Sequence, residues 1–383
     1  SGFLALCTAN LPESTIGPDV SDQSNDHFNT VIYSGTGNAD TITTGLQPDW
    51  IWIKQRNGTG YHHITDTNRG ITREMHTNAT DTETNYSRIA STSTTGFTFE
   101  DGANGYTNES GSTFVAWNWR AGGNHADVSG NYIKDGVAFT PTQGTMDANS
   151  MSVNTKAGFS IVEFTSNVSS DVGETGTPTT VAHSLGVKPE WVIIKDRDGG
   201  SYPHWNVWHP GYQPDTTYLN YQFIGLQNSN ASNNAGWTRT DTGFTTNLFS
   251  TPRYQYTENG KSYIAYVFTP VEGFSRFGAY EGVGNTNGAF VFTGFRPAWV
   301  MTKRADSSGN WYINDTTRST YNPTSVSAGN LYADLSNAEG GNGMDILSNG
   351  FKIRNTDSSQ NTDGGQYVYM AFAETPFKFA NAR

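Results

Sequence analysis

A single cysteine, Cys7, in 383 residues excludes any disulfide within the chain, so packing and assembly must supply the stability. Charged residues make up only 15% and the acidic ones prevail. The net charge of −12 argues against a nucleic-acid or anionic-membrane partner, since both need basic surface. No apolar run approaches the ~18 residues of a membrane span, so no membrane insertion is expected. Helix-period stretches of Ala, Leu, Glu and Lys are nearly absent. The Gly-x-Ser-x-Gly elbow, phosphate loops and Cys/His metal spacings are missing as well. No cofactor, metal or catalytic residue is therefore nominated, and the expectation is a non-enzyme. The chain opens Ser1-Gly2-Phe3 with no charged n-region and apolar h-region, which leads us to expect no secretory signal and a fragment or a processed product.

What the sequence does have is 42 Gly, 21 Phe, 19 Tyr and 10 Trp among many Asn, Ser and Thr. Aromatic residues with frequent turn formers favour short strands, hence an all-β protein with enough apolar mass for a core. One stretch recurs three times: Gly45-Leu-Gln-Pro48-Asp-Trp50-Ile-Trp-Ile-Lys54, Gly186-Val-Lys-Pro189-Glu-Trp191-Val-Ile-Ile-Lys195 and Gly294-Phe-Arg-Pro297-Ala-Trp299-Val-Met-Thr-Lys303. Gly-x-x-Pro reads as a turn, and Pro at the mouth of a strand sits where its missing N–H costs least. The Trp-led run after it reads as a largely buried strand.

The spacing of later landmarks repeats too. From the first Gly to a Gly-Phe pair the gaps are 51, 57 and 56 residues, and from that pair to the Ala of an aromatic-x-Ala-aromatic closing strand they are 20, 22 and 21. We therefore expect three tandem antiparallel β-sandwich or jelly-roll-like repeats with long loops. The boundaries are an extended N-terminal arm over 1–27, repeats at 28–123, 157–272 and 273–383, and a linker or elaborated loop over 124–156 with one strand near Tyr132 to Phe139. Packing as serial beads or as one stack is left open.

Few side chains invite chemistry. Asp66 with Arg69 and Asp315 with Arg318 lie at the same offset from their Gly, and a pair that recurs in tandem copies reads as turn bracing, not as catalysis. The second copy lacks the pair and has Trp208-His209-Pro210-Gly211 there instead. Lys54, Lys195 and Lys303, each followed by a nearby Arg, read as solvated strand ends. The histidines read as surface or loop residues, and adjacent His62 and His63 would point to opposite faces of a strand, poor geometry for one metal. Two Asp/Gly-rich stretches, Asp196 to Gly200 and Asn361 to Gly365, read as turns because neither has enough ligands in register for Ca²⁺. The Asn-x-Ser/Thr triplets at Asn57, Asn78 and Asn167 are expected by chance in such a chain. Trp205, Trp208 and His209 are the candidate ligand-binding residues, because aromatic platforms beside Asn and Asp are how sugar sites stack and hydrogen-bond a glycan.

The recurrent stretch, the Asp66 to Gly70 turn and the Phe114 to Gly123 closure (Phe-Val-Ala-Trp-Asn-Trp-Arg-Ala-Gly-Gly) resemble repeats in virion proteins of tailed phages, chiefly marine and cyanobacterial ones. The ending from Tyr369 to Arg383 is similar to theirs. So is the entry Ala5 to Pro12, which in longer relatives follows a lectin-like SPRY domain. The resemblance spans nearly the whole chain and departs at the second copy's missing Asp-x-x-Arg-Gly. It implies a virion structural protein of the tail-fibre or appendage type on the particle surface. Such a protein would be made in the host cytoplasm, contact other virion proteins, form a homo-oligomer with a trimer the expected number, and display loops for host attachment, with a host surface glycan as a ligand. A capsid decoration or fibre protein on the head is the alternative, and a glycan-degrading tailspike a more remote one.

Overall fold

The three recurrent stretches enter their strands in the same way. Gly45, Gly186 and Gly294 have φ of +77°, +79° and +88°, the left-handed region that glycine adopts without penalty. The chain reverses there and runs into the strands Trp50–Gln55, Trp191–Asp196 and Pro297–Arg304. The repeated Gly-Phe pairs also have a steric cause: a Cβ at Gly96 or Gly350 would collide with the carbonyl of Ile42 or Val291 on the paired strand. The computed structural model describes residues 23–374 except 103–104, 125–129, 169–178, 212–222, 231–242, 253–255, 321, 323–328 and 342. Residues 1–22 of the arm expected over 1–27, and the ending over 375–383, lie outside the described residues.

Among the described residues the regular structure is almost entirely β, with one four-residue helix, Ser358–Asn361, and one 3-10 turn, Ser24–Asp26. Among the described residues no helix is long and apolar enough to cross a membrane. Three large sheets of six, eight and five strands share one central order. In the first sheet Phe28–Ser34 pairs with Thr113–Trp119, which pairs with Trp50–Gln55, then His62–Asp66, then Arg73–His76. In the second the same places are taken by Phe159–Thr165, Ser262–Phe268, Trp191–Asp196, Trp205–Trp208 and Ile224–Gly225. In the third they are Ser275–Glu281, Gln366–Ala373, Pro297–Arg304, Tyr312–Asp315 and Leu331–Tyr332. Registers match residue for residue: Trp50 lies opposite Trp119, Trp191 opposite Phe268 and Trp299 opposite Phe372.

Residues 124–156, expected as a linker or elaborated loop with one strand, extend the second sheet by three strands, Tyr132–Lys134, Val137–Ala138 and Ala148–Asn154. Tyr132–Lys134 pairs in parallel with Ala148–Asn154, which a hairpin cannot provide but the intervening chain can. Alternation buried this signal: Met146, Ala148, Met151 and Val153 are apolar and inward, spaced among Asn, Ser and Thr.

Both faces of each large sheet's central strands are covered, so those strands are buried along their length, whereas the flanking Phe28–Ser34 and Ser275–Glu281 alternate. Alternate residues go to different cores. Ile51, Ile53, Phe114 and Ala116 meet Ile42, Ile89, Phe97 and Phe99 of a small three-stranded sheet. Two further small sheets cover the second and third large sheets in the same manner. The other set, which includes Trp50, Trp52, Trp117 and Trp119, meets Trp191, Tyr266 and Phe268 of the second sheet and Trp299, Met370 and Phe372 of the third in one shared core. The large sheets thus face one another around a common aromatic centre, which is neither a row of beads nor a linear stack. Trp50 stacks on Tyr266 at 4.5 Å, Phe28 on Phe372 at 5.1 Å, and Trp191 meets Trp311 edge-on at 6.1 Å, so each sheet touches both others. The ends of the described chain close the ring, with Ser24 Oγ donating to the Glu374 carbonyl at 3.0 Å.

Candidate functional site

Two constellations gather buried ionisable side chains: the joints between large sheets, and a histidine–glutamate cluster at the free end of the first sheet.

The joints are built from the sequence's own landmarks. Asp66 accepts from the Arg69 backbone N–H at 2.8 Å and from its Nε, and Asp315 does the same with Arg318. Each carboxylate also takes a donor from another sheet: Tyr266 Oη donates to Asp66 Oδ2 at 2.7 Å, and Trp117 Nε1 to Asp315 Oδ2 at 3.0 Å. Tyr266 and Trp117 hold equivalent places on their closing strands, opposite Ile193 and Trp52. The network then continues outward. Arg69 meets Glu83, which binds Arg197 of the second sheet at 2.8 Å. Arg318 meets Glu339, which binds Arg56 of the first sheet at 2.7 Å. Burial alone would raise the pKa of Glu83, but Arg197 and Arg69 hold it below the ordinary range.

The lysines of the recurrent stretch contradict the expectation of solvated strand ends. Lys54, Lys195 and Lys303 are fully buried, and each ammonium donates to backbone carbonyls. Lys195 reaches Asp81 of the first sheet's chain at 3.0 Å, and Lys303 reaches Ser229 at 3.2 Å. An ammonium is tolerated there because carbonyl oxygens replace its hydration shell. The loss of water still pushes Lys54 and Lys303 down to about 7 and Lys195 to about 8.

The proposed ligand residues are corrected for the same reason. Trp205 and Trp208 are both fully buried and His209 nearly so, so none can offer a platform to a glycan. Trp205 lies in the shared core and donates its indole N–H to the His76 carbonyl at 2.8 Å. Trp311, its equivalent, donates to the Gly225 carbonyl at 2.7 Å. Trp208 points to the opposite face and stacks on Phe244 at 3.7 Å. Extending the pairing of Val192 with Trp208 by one residue sets His209 opposite Trp191, the place that Asp66 and Asp315 hold opposite Trp50 and Trp299. His209 packs on Trp191 at 5.5 Å, and burial lowers its pKa to about 3, so it is neutral. Asp196, in one of the Asp/Gly-rich stretches, uses its carboxylate on the backbone N–H groups of Asp198, Gly199 and Gly200.

The second constellation went unread in the sequence. His63 lies opposite His76 in the pairing of His62–Asp66 with Arg73–His76, and Glu74, two residues from His76, shares its face. All three are buried, against the expectation of surface histidines. Glu74 Oε1 lies 2.9 Å from His63 Nδ1 and 3.1 Å from His76 Nε2, while Arg88 Nε sits 3.0 Å from Oε2. Asp81 takes the other nitrogen of His76, Nδ1. Burial would lower the His76 pKa, but Asp81 and Glu74 lift it to about 9, so it is charged at neutrality. Burial holds His63 below its ordinary value. A small pocket lined by His63, Glu74, Arg88, Ile53 and Thr107 adjoins the cluster. Tyr61 stacks on His76 at 4.9 Å, and Tyr106 lies over His63 at 6.3 Å. Both tyrosines are 40–50% exposed, so the cluster is one ring's thickness from solvent. The Glu-x-His spacing within one strand was the available signal. His63 pairing with it is a matter of register.

Ring closure, twin ion-bound joints and a covered polar cluster define an all-β body in which repeated side chains bind sheet to sheet. The chain belongs to the family described as a domain of unknown function, DUF7483, which matches residues 23–376. No curated protein and no solved structure matches it.

Proposed function

We propose that this protein is a non-enzymatic structural component of a phage virion, of the tail-fibre or appendage type, built as three copies of one sandwich- or jelly-roll-like unit that carry variable loops for host attachment. The observation that carries the reading is where the recurrent side chains go. Trp50, Trp191 and Trp299 enter one core, the three lysines bind carbonyls, and Asp66–Arg69 and Asp315–Arg318 brace joints. The two aspartates with the most enzyme-like setting are fully buried and tied to arginine, so they serve no groove. A repeated scaffold spent on rigidity suits a particle component that must hold loops in place without a disulfide.

Attachment to other virion proteins and to a host surface glycan belongs to the outer surface and the long loops, since the inner faces are already used. A homo-oligomer, with a trimer as the expected number, would need contacts on the outer layer. The third unit offers one. On its edge strand Phe290–Phe292 the two Phe side chains are about half exposed, where the first unit's equivalent strand, Thr41–Thr43, has threonines. An exposed apolar edge strand is a pairing surface.

An averaged map of the intact particle tests the reading. Density for this body on the tail supports an appendage, density on the icosahedral shell replaces that with capsid decoration, and absence from the particle overturns both. Light scattering of the purified chain tests the trimer separately, and a stable monomer at micromolar concentration refutes it.

A further inference from the structure

The histidine–glutamate cluster is not needed by the structural reading, and its geometry has a use of its own. One nitrogen from each of His63 and His76 and one oxygen of Glu74 lie within 4.8 Å of one another. We propose that His63, Glu74 and His76 form a binding site for a divalent transition-metal ion of the zinc class.

Three independent features support it. The donor set, two imidazoles and one carboxylate, is one that zinc accepts, at roughly 2.0–2.2 Å per bond and so with donors roughly 3.3 Å apart in a tetrahedron. Next, the outer contacts are those of ligands held for a metal. Asp81 takes His76 Nδ1 and so turns Nε2 inward, and Arg88 holds the outer oxygen of Glu74, leaving Oε1 toward the two rings. A carboxylate on the far nitrogen of a ligating histidine fixes both its tautomer and its orientation. Finally, His63 is buried, yet neither of its ring nitrogens has a partner of hydrogen-bond geometry among the described residues. Its Nδ1 touches Glu74 Oε1 at 2.9 Å off the line of a proper bond. A buried imidazole without a hydrogen bond is costly, and a metal bond would satisfy it. The half-exposed Tyr61 and Tyr106 give the ion a short way in, and a water or a small anion the fourth position.

The consequence of binding is mechanical. The segment that carries Glu74, His76 and Asp81 is also the one that reaches the second sheet, through the His76 carbonyl to Trp205, the Asp81 carbonyl to Lys195 and the Glu83 carboxylate to Arg197. An ion tying His76 to His63 would pin that segment to the first sheet and so lock the joint.

The test uses the full chain, stripped with a chelator and titrated with Co²⁺, whose tetrahedral complexes absorb visibly, followed by displacement with Zn²⁺. The expected result is one equivalent of Co²⁺ with a tetrahedral spectrum, reversed by Zn²⁺, and a higher melting temperature with Zn²⁺ than with chelator. His63→Ala and Glu74→Gln, each shown folded by circular dichroism, should bind about 100-fold or more weaker, and Asp81→Asn about 10–100-fold weaker. His183→Ala, a buried histidine of the second sheet's layer, should bind as the parent does. No Co²⁺ uptake by the folded parent, or equal uptake by parent, His63→Ala and Glu74→Gln, overturns the proposal and leaves the cluster an ion-pair network alone.

Discussion

Replacing Tyr266 by Phe isolates one atom of one joint. The ring stays, stacked on Trp50 at 4.5 Å, and only the hydroxyl that donates to Asp66 Oδ2 at 2.7 Å is lost. Both residues are fully buried and stand 200 positions apart in the chain, so the bond belongs wholly to the contact between the first and second sheets. A hydrogen bond to a charged acceptor contributes about 1.5–3 kcal/mol, against about 1 kcal/mol for a neutral pair. Asp66 keeps its two bonds from Arg69, which sets the expectation near the lower end, about 1.5–2 kcal/mol. For a chain of this size that is on the order of 2–4 °C in melting temperature. Urea denaturation of Tyr266→Phe, Asp66→Asn and the double variant checks it. If the two side chains interact as placed, the double variant costs less than the sum of the singles by 1 kcal/mol or more, in the range found for contacting pairs. Additivity within about 0.5 kcal/mol would refute the joint, since that is the behaviour of residues far apart.

The remaining expectations concern charge and packing. Lys54 and Lys303, held at about 7, and Lys195, at about 8, bind fewer protons folded than unfolded, so their cost is full below the folded pKa and is relieved as pH rises above it. His76, at about 9, works the other way and loses its contribution as pH rises through that value, but three lysines outweigh one histidine. Stability measured by urea midpoints should therefore rise from pH 7 to pH 9, and Lys303→Met should flatten the rise. Glu83→Gln strips the partner of Arg69 and Arg197 within a buried network and should cost about 3–5 kcal/mol. By contrast Asp345→Ala, which breaks a pair with the half-exposed Arg354, should cost under about 1 kcal/mol by the same assay. Trp208→Ala should cost about 3–5 kcal/mol through the cavity left on Phe244, with glycan-array binding unchanged.

What could be read from the sequence was what repeats locally. The Gly-x-x-Pro turn, the buried Trp strand and the closing strand recur because each copy solves the same backbone problem: a positive φ at Gly45, Gly186 and Gly294 and a strand covered on both faces. The burial of the lysines was hidden, because their partners are carbonyls, which every residue has. Trp205 and Trp208 misled because an aromatic beside Asn looks the same in a core as on a platform. His63, Glu74 and His76 were hidden because strand register, not spacing, brings them together.

The copies that differ can still be read through the ring. Each joint sets the place of Asp66 on one sheet against the place of Tyr266 on the next: Asp66 with Tyr266 and Asp315 with Trp117. By that rotation the third joint sets His209 against Met370, which occupies the position of Tyr266 and Trp117 opposite Met301. A histidine and a methionine thus stand where the other two joints set a carboxylate against its donor. This place therefore carries neither a carboxylate nor a strong donor, and His209 Nε2 has no hydrogen-bond partner among the described residues. The third joint has no such carboxylate–arginine pair and is held by the packing of Trp191 on Phe277 and Trp311, with Trp311 donating to the Gly225 carbonyl and Lys303 to the Ser229 carbonyl.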